Sequence, residues 1–400
     1  MRRKKTADAP PIEIDAKGKT PLGMPPDRFL RQYWQKHPLL VRNAFPGYVS
    51  PVTPEDLAGL ACEETALSRI VTHDWDTDSW TLRTGPFSEA EFPNMPDRDW
   101  TLLVQDVDKW DPDIRELLHH FTFLPQWRFD DIMISFAATG GSVGAHIDQY
   151  DVFLLQGDGQ RRWLIDARSN PSETYRDDVA LKLLREFHPS HDWVLHPGDM
   201  LYLPPGVPHH GIAVNPCLTI SVGLRAPSSS ELIGDYLDTL ILDADERVRY
   251  HDEDLEIPKD PFEIDAAAMA RAIEALNAIR INDPDRLGDW FGSFITTYRN
   301  ASAILPYAES QSPVEIEQAL RSGAILQRHP WSRTAWRRNK RGASLFCNGA
   351  SFSLPITDAR QLAAAEQIHQ AGYAKLSDHG RNALFALIEA GHYQIQEADG

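Results

Sequence analysis

The stretch GGSVGAHIDQYD, residues 140–151, carries the pattern on which the fold assignment depends. At its centre lie His146 and Asp148, and residues two apart on a β-strand point to the same face. These two side chains can therefore offer an imidazole nitrogen and a carboxylate oxygen to one metal ion. A His-x-Asp triplet alone is a weak signal, so the flanking sequence decides whether a metal site is predicted.

Short strand candidates lie on both sides of this stretch. They are rich in β-branched and aromatic residues, are bounded by Gly, Pro and Asp turns, and cover Asp131–Phe136, Val152–Gln156, Arg161–Ile165, Trp193–Leu195, Met200–Leu203 and Leu218–Leu224. Many short strands separated by such turns predict an antiparallel sandwich or barrel. The His-x-Asp triplet is therefore expected inside a mainly β domain.

A third ligand is expected about sixty residues later, within HPGDMLYLPPGVPHHG, residues 196–211. The Pro-Gly-Asp sequence predicts a tight turn, Met200–Leu203 a buried strand, and Pro204–Pro208 a rigid corner that delivers a histidine. If this segment is extended, only one of His209 and His210 faces the cavity, and the other points to a hydrogen bond or to solvent. The residues alone leave that choice open.

Two histidines and one carboxylate on one face of an octahedron leave three coordination positions open. This set is typical of non-haem Fe(II) oxygenases, which bind a 2-oxoacid through two atoms and O₂ in the remaining position. We therefore predict Fe(II) as the metal, with a 2-oxoacid and O₂ as cosubstrates. A cupin that holds Zn²⁺ or Ni²⁺ for isomerisation or storage is the alternative from a different functional class.

A 2-oxoacid needs a cation for its distal carboxylate, and Arg161 is the candidate. Asp158-Gly159 is a favoured two-residue hairpin turn, so we expect Arg161 to oppose Gln156 across a hairpin. Gln156 is an even number of residues from Asp148 and His146, so strand alternation places it on their face. Arg161, opposite Gln156, is then expected inside the barrel and Arg162 outside. A carboxylate is the natural bidentate partner of an inward arginine, although a structural Arg–Asp pair is the alternative.

Composition restricts the functional class. The net charge of −18 is uneven: residues 301–400 carry 10 Lys+Arg and 9 Asp+Glu, which leaves 30 and 49 for residues 1–300, a net charge of −19 there. Such a field repels naked nucleic acid and attracts basic proteins. The sequence contains no run of 18 apolar residues, so no membrane span is predicted, and no signal peptide is expected. Its three cysteines lie far apart in sequence, which suits reduced thiols better than a disulfide framework. We expect a cytoplasmic protein.

Changes in composition and in predicted secondary structure divide the chain into four predicted parts. Residues 1–20 are expected to form a disordered tail, and residues 21–227 the catalytic β domain. Residues 228–300 are predicted to be helical, with a serine cap at Ser228 that begins the first helix and a second helix over residues 266–280. An apolar stripe on this region is expected to cover a neighbouring surface or a second subunit. Residues 301–400 combine helices, one of them predicted over residues 359–370, with a β-hairpin and predict a winged-helix-like domain.

These residues resemble the bacterial JmjC ribosomal oxygenases of the YcfD type. The resemblance rests on residues 131–163, with HIDQYDVF at 146–153 and GxGxRRW at 157–163, on PPGxPH at 204–209, and on SVGLRAP at 221–227. It covers most of the chain and is weakest after residue 227. It implies a double-stranded β-helix of the jelly-roll, cupin type, then a helical dimerisation region and a C-terminal winged helix.

The resemblance also implies an activity. It selects His209 as the third iron ligand, places the 2-oxoglutarate-binding arginine at Arg161, and implies 3-hydroxylation of an arginine side chain in large-subunit ribosomal protein sixteen by a homodimer. It suggests that Asp131 and Met133 help to seat the substrate side chain, with Gln149 nearby. The alternative is that Asp131 only ends a strand. The resemblance further suggests hydroxyl contacts to 2-oxoglutarate from Ser135, Thr219 and Ser221.

Alternatives remain at the level of substrate and of the last domain. The same JmjC barrel can hydroxylate a histidine or demethylate a lysine in another protein. The run Arg333–Arg341 could contact ribosomal RNA, or it could form a solvated wing. A DNA-binding regulator with the barrel as sensor is a further class, but the near-neutral charge of residues 301–400 argues against it. We expect no direct binding of nucleic acid.

Overall fold

The chain divides into two compact units, residues 1–226 and residues 227–400, here called the N-terminal and C-terminal units. The computed structural model describes residues 10–17, 20–245, 247, 249–257, 260, 262–277, 283–297, 304–306 and 312–397. Within those ranges, no helix is both long and apolar enough to cross a bilayer.

Twelve strands and four α-helices make up the described part of the N-terminal unit. The strands are β1 (Glu13–Asp15), β2 (Leu39–Arg42), β3 (Ser68–Asp74), β4 (Ser79–Thr84), β5 (Trp100–Val104), β6 (Phe129–Ala137), β7 (Val152–Asp158), β8 (Arg161–Ile165), β9 (His191–Leu195), β10 (Met200–Leu203), β11 (His209–Ala213) and β12 (Cys217–Leu224). The helices are α1 (Pro26–Gln32), α2 (Pro54–Leu60), α3 (Val107–Trp110) and α4 (Pro112–Glu116), with 3₁₀ turns at Glu89–Asn94, Leu117–Phe121 and Gln126–Arg128.

These strands form two sheets that face each other. The large sheet has the order β1-β2-β10-β7-β12-β6-β5-β3-β4, and the small sheet the order β11-β8-β9. Alternate residues of the large sheet face opposite sides, as strand geometry requires. One side packs Ile134, Phe153 and Ile220 against the N-terminal helices. The other side packs Leu154 and Leu201 against the small sheet, so the cavity lies between the sheets.

The predicted hairpin between β7 and β8 is wrong. β7 pairs with β10 and β12 in the large sheet, whereas β8 pairs with β9 and β11 in the small one. Residues 159–160 therefore cross from one sheet to the other, and Arg161 opposes Leu195 and Ala213 rather than Gln156. The bounds of β8 and β10 match the prediction.

Two further expectations need correction. His146 and Asp148 do not lie on a regular strand, because their segment pairs through isolated bridges, Ser142 with Ile212 and His146 with His209. Residues 13–15, expected in a disordered tail, form β1, which pairs in parallel with β2. Residues 1–9 of the predicted tail lie outside the described residues.

The described part of the C-terminal unit has seven helices and six strands. They are α5 (Ser229–Leu242), α6 (Ala266–Asn277), α7 (Pro284–Thr296), α8 (Pro313–Arg321), β13 (Ile325–Arg328), β14 (Thr334–Asn339), β15 (Gly342–Cys347), β16 (Ala350–Leu354), α9 (Ile356–Ala364), β17 (Gln367–Ile368), α10 (Gln370–Tyr373), α11 (Asp378–Glu389) and β18 (Tyr393–Gln396). Two sheets result, ordered β17-β13-β18 and β14-β15-β16. Ser228 begins α5 as predicted, because its hydroxyl accepts from the Glu231 backbone N–H at 3.2 Å.

In the C-terminal unit, the differences from the predicted secondary structure lie at the hairpin of β14 and β15 and at helix ends. The basic run forms β14, and α7, expected in the helical region 228–300, packs on β14 and β15. The helix predicted over residues 359–370 ends at Ala364 and is followed by β17. The predicted end of α6 at Arg280 lies outside the described residues.

Candidate active site

Three side chains with metal-ligand chemistry converge in the cavity of the N-terminal unit. One donor atom each from His146, Asp148 and His209 lies within 4.8 Å of the others. The Asp148 Oδ2 atom is 3.6 Å from His209 Nε2 and 4.0 Å from His146 Nε2. The bridge between His146 and His209 brings them together, since each backbone N–H donates to the other's carbonyl at 3.0 Å.

Backbone carbonyls orient both imidazoles. His146 Nδ1 lies 2.9 Å from the Gly144 carbonyl, and His209 Nδ1 lies 2.9 Å from the Val207 carbonyl. Because a carbonyl only accepts, each Nδ1 carries the proton and each Nε2 keeps a free lone pair. Burial, and then the neighbouring His146, lower the pKa of His209, so its imidazole stays neutral. Neutral imidazoles with an oriented Nε2 are the form that binds a metal.

His210 points away from this cluster. Its Nε2 atom lies 2.9 Å from the Ser142 hydroxyl, on the other face of β11. Burial lowers the pKa of His210 to about 4. Of the two adjacent histidines, the structure places His209 in the cavity and His210 at a hydrogen bond, which is the arrangement expected of an extended segment.

A polar wall, formed by β6, β12 and β7, lines the cavity beside the cluster. Thr219 pairs with Ser135 on one side and with Gln156 on the other, and Ser221 pairs with Met133. Cross-strand partners face the same side of a sheet, so these side chains form rows. The cavity wall comprises Asp131, Met133, Ser135, Gln156, Thr219 and Ser221. Gln156 was expected on the inward face but was not assigned a role in the site, and its Oε1 accepts from the Thr219 hydroxyl at 3.4 Å.

Arg161 enters the cavity from the small sheet. Its side chain is 2% exposed, and its guanidinium donates to the Ser135 hydroxyl and to the Gly211 carbonyl, both at 3.3 Å. The guanidinium also lies 5.1 Å from the Trp163 ring centroid. Its Nε–H has no acceptor, and among the residues that the structure describes no carboxylate forms an ion pair with it. The structural Arg–Asp pair considered from the sequence is thus not formed there, and Arg162 points outward to Asp192.

The residues of the cavity fit a divalent metal and a dicarboxylate. Two imidazoles and one carboxylate are the donor set of a non-haem iron site with open positions. A buried, unpaired guanidinium is costly unless an anion accompanies it. The orphaned Arg161 Nε–H therefore indicates a carboxylate ligand in this cavity.

Of the three predicted substrate residues, Asp131 and Met133 lie on β6, and Gln149 lies on the segment before β7. Asp131 is buried on β6, and its Oδ2 accepts from the Asp106 backbone N–H at 3.3 Å. Met133 follows on the same face of the strand. Gln149 is exposed, and within the described ranges no hydrogen bond or ion pair joins it to the cavity.

Tyr150 was not singled out from the sequence. Partial burial of its phenol, and then the Asp148 and Asp131 carboxylates, raise its pKa, so the hydroxyl lies near both groups. Glycine at 211 was also missed: a Cβ there would lie 2.6 Å from Arg161 Nε and 2.8 Å from the Trp163 ring. The glycine directly after the two histidines was the only sequence signal for that close approach.

Comparisons with known proteins agree with this geometry. Residues 116–232 match the model of the JmjC domain, and residues 279–394 match that of the ROXA-like winged helix. The ribosomal protein uL16 3-hydroxylase of Escherichia coli K12 is 36% identical over 327 residues, covering 82% of this chain and 85% of that protein. A probable ribosomal oxygenase of Haemophilus influenzae is 42% identical over 209 residues, 52% of this chain and 51% of the other.

Solved structures show the same relationship. The structure of the ribosomal oxygenase YcfD from Escherichia coli in complex with cobalt and 2-oxoglutarate superposes with a TM-score of 0.81 at 32% identity. It covers 94% of this chain and 99% of the other. The expected fold class is confirmed: a cupin-like JmjC domain followed by a winged helix. The chain belongs to the family of JmjC ribosomal oxygenases.

Proposed function

We propose that this protein is an Fe(II)- and 2-oxoglutarate-dependent oxygenase that hydroxylates the β-carbon of an arginine side chain in a large-subunit ribosomal protein. The observation that supports this proposal most strongly is the oriented cluster of His146, Asp148 and His209. Beside it lies the buried Arg161, which has no carboxylate partner among the described residues. The similar uL16 3-hydroxylase supports the class of substrate.

Different residues of the cavity would bind the metal and the 2-oxoglutarate. His146, Asp148 and His209 would hold the metal, and Arg161 would donate to the distal carboxylate of 2-oxoglutarate, with Ser135, Thr219 and Ser221 as hydroxyl contacts. The iron with 2-oxoglutarate and O₂ supplies the oxidising power for the C–H bond when bound. The protein contributes position and exclusion of water from the reacting atoms.

We assign an arginine side chain as the substrate from the charge and shape of the cavity near Asp131. The Asp131 carboxylate lies close to Gly223, whose absent side chain leaves room beside it: a Cβ there would be 3.2 Å from Asp131 Oδ1. A carboxylate of this kind suits a guanidinium, while Met133 and Tyr150 offer apolar and aromatic contact to its stem. Gln149 remains a proposed contact at the rim. The charge of −19 on residues 1–300 favours a basic protein partner.

Binding of nucleic acid is not part of the proposal. The basic strand β14 faces the acidic start of α7, where Arg337 pairs with Asp285 and Asp289 at 3.3 and 3.4 Å, and Lys340 pairs with Asp285 at 3.0 Å. Cations that are neutralised within their own unit release few counterions from RNA or DNA.

We further propose a cytoplasmic homodimer. On α5, Ile233, Leu237 and Ile241 follow at helical spacing and are 59%, 43% and 69% exposed. A second copy would bury this stripe. Leu237→Arg should give monomers in sedimentation analysis, whereas Asp238→Arg, one position along the same helix, should leave dimers. An unchanged dimer in Leu237→Arg would place the contact elsewhere.

The activity is tested by mass spectrometry of ribosomal proteins incubated with enzyme, Fe(II) and 2-oxoglutarate. We expect one added oxygen on an arginine, with stoichiometric succinate. Asp131→Asn should weaken this reaction selectively, because the amide lacks the charge that pairs with guanidinium. Oxygen on a histidine, or loss of methyl groups from lysine, would show a different substrate, and metal binding without succinate release would indicate a non-oxygenase cupin.

A further inference from the structure

The ligand-bearing segment after His146 has little backbone support. Residues 147–151 belong to neither sheet, and β7 begins only at Val152. Two backbone hydrogen bonds hold the segment: Gly206 N–H donates to the Asp148 carbonyl at 2.9 Å, and Leu224 N–H donates to the Asp151 carbonyl at 3.0 Å. The position of Asp148 therefore depends on side-chain anchors nearby.

Asp151 is such an anchor. Its carboxylate is fully buried and accepts three hydrogen bonds: from Tyr202 Oη at 2.6 Å, from Gln35 Nε2 at 2.9 Å and from Arg128 at 3.2 Å. These donors come from β10, from the loop after α1 and from the turn before β6. A buried carboxylate is stable only with such partners, so the three donors draw the segment to one place.

The donors are themselves fixed. The Gln35 backbone adopts a positive φ of 54°, and its N–H donates to Tyr202 Oη at 2.9 Å. Arg128 Nε donates to the Arg225 carbonyl at 2.8 Å, at the end of β12. The anchor is thus tied to the large sheet at several points, so it can transmit the rigidity of the sheet to the segment.

We propose that Asp151 is a positioning residue for the metal centre: its buried hydrogen-bond network sets the orientation of the Asp148 carboxylate and of Tyr150 beside it. The proposal rests on the proposed function, because it assumes that Asp148 binds the metal. Asp151 itself touches neither metal nor substrate.

The test compares two buried aspartates. Asp151→Asn keeps the shape of the side chain but replaces an acceptor oxygen with a donor. Asp199→Asn is the matched control, since Asp199 is also buried and accepts from three groups, Arg42, the Asn43 N–H and the His196 N–H. For each full-length apo-protein, cobalt(II) is titrated by visible absorbance and the melting temperature is recorded without metal.

We expect Asp151→Asn to bind cobalt(II) about tenfold more weakly, the range for groups that support metal ligands. Asp199→Asn should lose comparable stability yet bind cobalt(II) within about twofold of wild type. Equal cobalt(II) affinity in Asp151→Asn and wild type would overturn the proposal, as would an equal loss in both variants. If Asp151→Asn does not fold, Tyr202→Phe removes one of the three donors to Asp151 and, with it, the acceptor of the Gln35 backbone N–H. It should weaken cobalt(II) binding about threefold, and an unchanged affinity would likewise overturn the proposal.

The wild-type titration separates the two hypotheses. Wild-type protein that binds no cobalt(II) contradicts the proposed function itself. Wild-type protein that binds cobalt(II), together with an unaffected Asp151→Asn, contradicts only the role of Asp151.

Discussion

Two arginines show how differently the two units use charge. In the N-terminal unit, Arg161 is buried, has no carboxylate partner among the described residues, and burial lowers its pKa. In the C-terminal unit, the side chain of Arg337 is 29% exposed and pairs with Asp285 and Asp289. The first arrangement is unfavourable for the protein alone, whereas the second is satisfied. An unsatisfied buried cation indicates a ligand, and a cation with carboxylate partners in its own unit indicates packing.

The same contrast holds for the polar groups around each arginine. The cavity wall places hydroxyls around Arg161 without completing its hydrogen bonds, and a buried donor left unpaired costs about 1–3 kcal/mol. In the C-terminal unit, Ser344 donates to Asp289 at 2.9 Å and Asn339 donates to Ser344 at 3.0 Å. Stability is therefore expected to depend on the second set and activity on the first.

The largest effect is expected from the metal ligands. His209→Ala or Asp148→Ala should show no measurable succinate formation, because a two-ligand site does not retain the metal under assay conditions. His210→Ala is the control, and it should stay within about tenfold of wild type, since it loses one hydrogen bond worth about 1 kcal/mol. Retained 2-oxoglutarate turnover in His209→Ala would refute the ligand assignment.

Arg161 should come next. Arg161→Ala removes a charge-assisted interaction worth about 3 kcal/mol, so the KM for 2-oxoglutarate should rise about 100-fold. The neighbouring Arg162 pairs with Asp192 at the surface, and Arg162→Ala should change this KM less than about twofold. If both substitutions changed the KM for 2-oxoglutarate equally, Arg161 would not be the arginine that binds its distal carboxylate. Steady-state succinate assays over a range of 2-oxoglutarate concentrations measure both.

A smaller effect is expected at Gly211. The new methyl group of Gly211→Ala would overlap Arg161 and Trp163, and such overpacking costs about 1–3 kcal/mol, which corresponds to about a tenfold rise in the KM for 2-oxoglutarate. Gly59→Ala on α2 meets no atom within 4 Å and should be neutral or slightly stabilising. The idea of a tight approach at 211 fails if both variants keep the wild-type KM and melting temperature.

The smallest effect is expected in the C-terminal unit. Arg337→Ala removes partly exposed ion pairs, which contribute about 1 kcal/mol or less. Calorimetry should show a slight decrease in melting temperature, and hydroxylation should be unchanged. A large loss of turnover would show that the basic strand takes part in substrate binding, and a change in RNA retention on filters at two salt concentrations would show contact with nucleic acid.

Sequence patterns predicted much of this site because they depend on local geometry. β8 and β10 have the predicted bounds, and the inward direction of Arg161 follows from alternation along its own strand, whichever strand is its partner. The hairpin on which the prediction relied does not exist, since pairing is decided by distant strands. Tyr150 and Gln156 were missed as site residues for a similar reason, since their roles depend on residues distant in the chain or on their spatial surroundings: Asp131 near Tyr150, and Thr219 beside Gln156.

The sequence by itself determined the donor set, the strand-rich frame and the capped helix at Ser228, because residue type, period and capping are properties of short segments. Only the tertiary structure decided that β7 and β8 lie in different sheets and that His209 rather than His210 faces Asp148. It also decided that Arg161 is left without a carboxylate partner in the described part of the chain. Those outcomes depend on contacts between residues far apart in the chain, which no local pattern encodes.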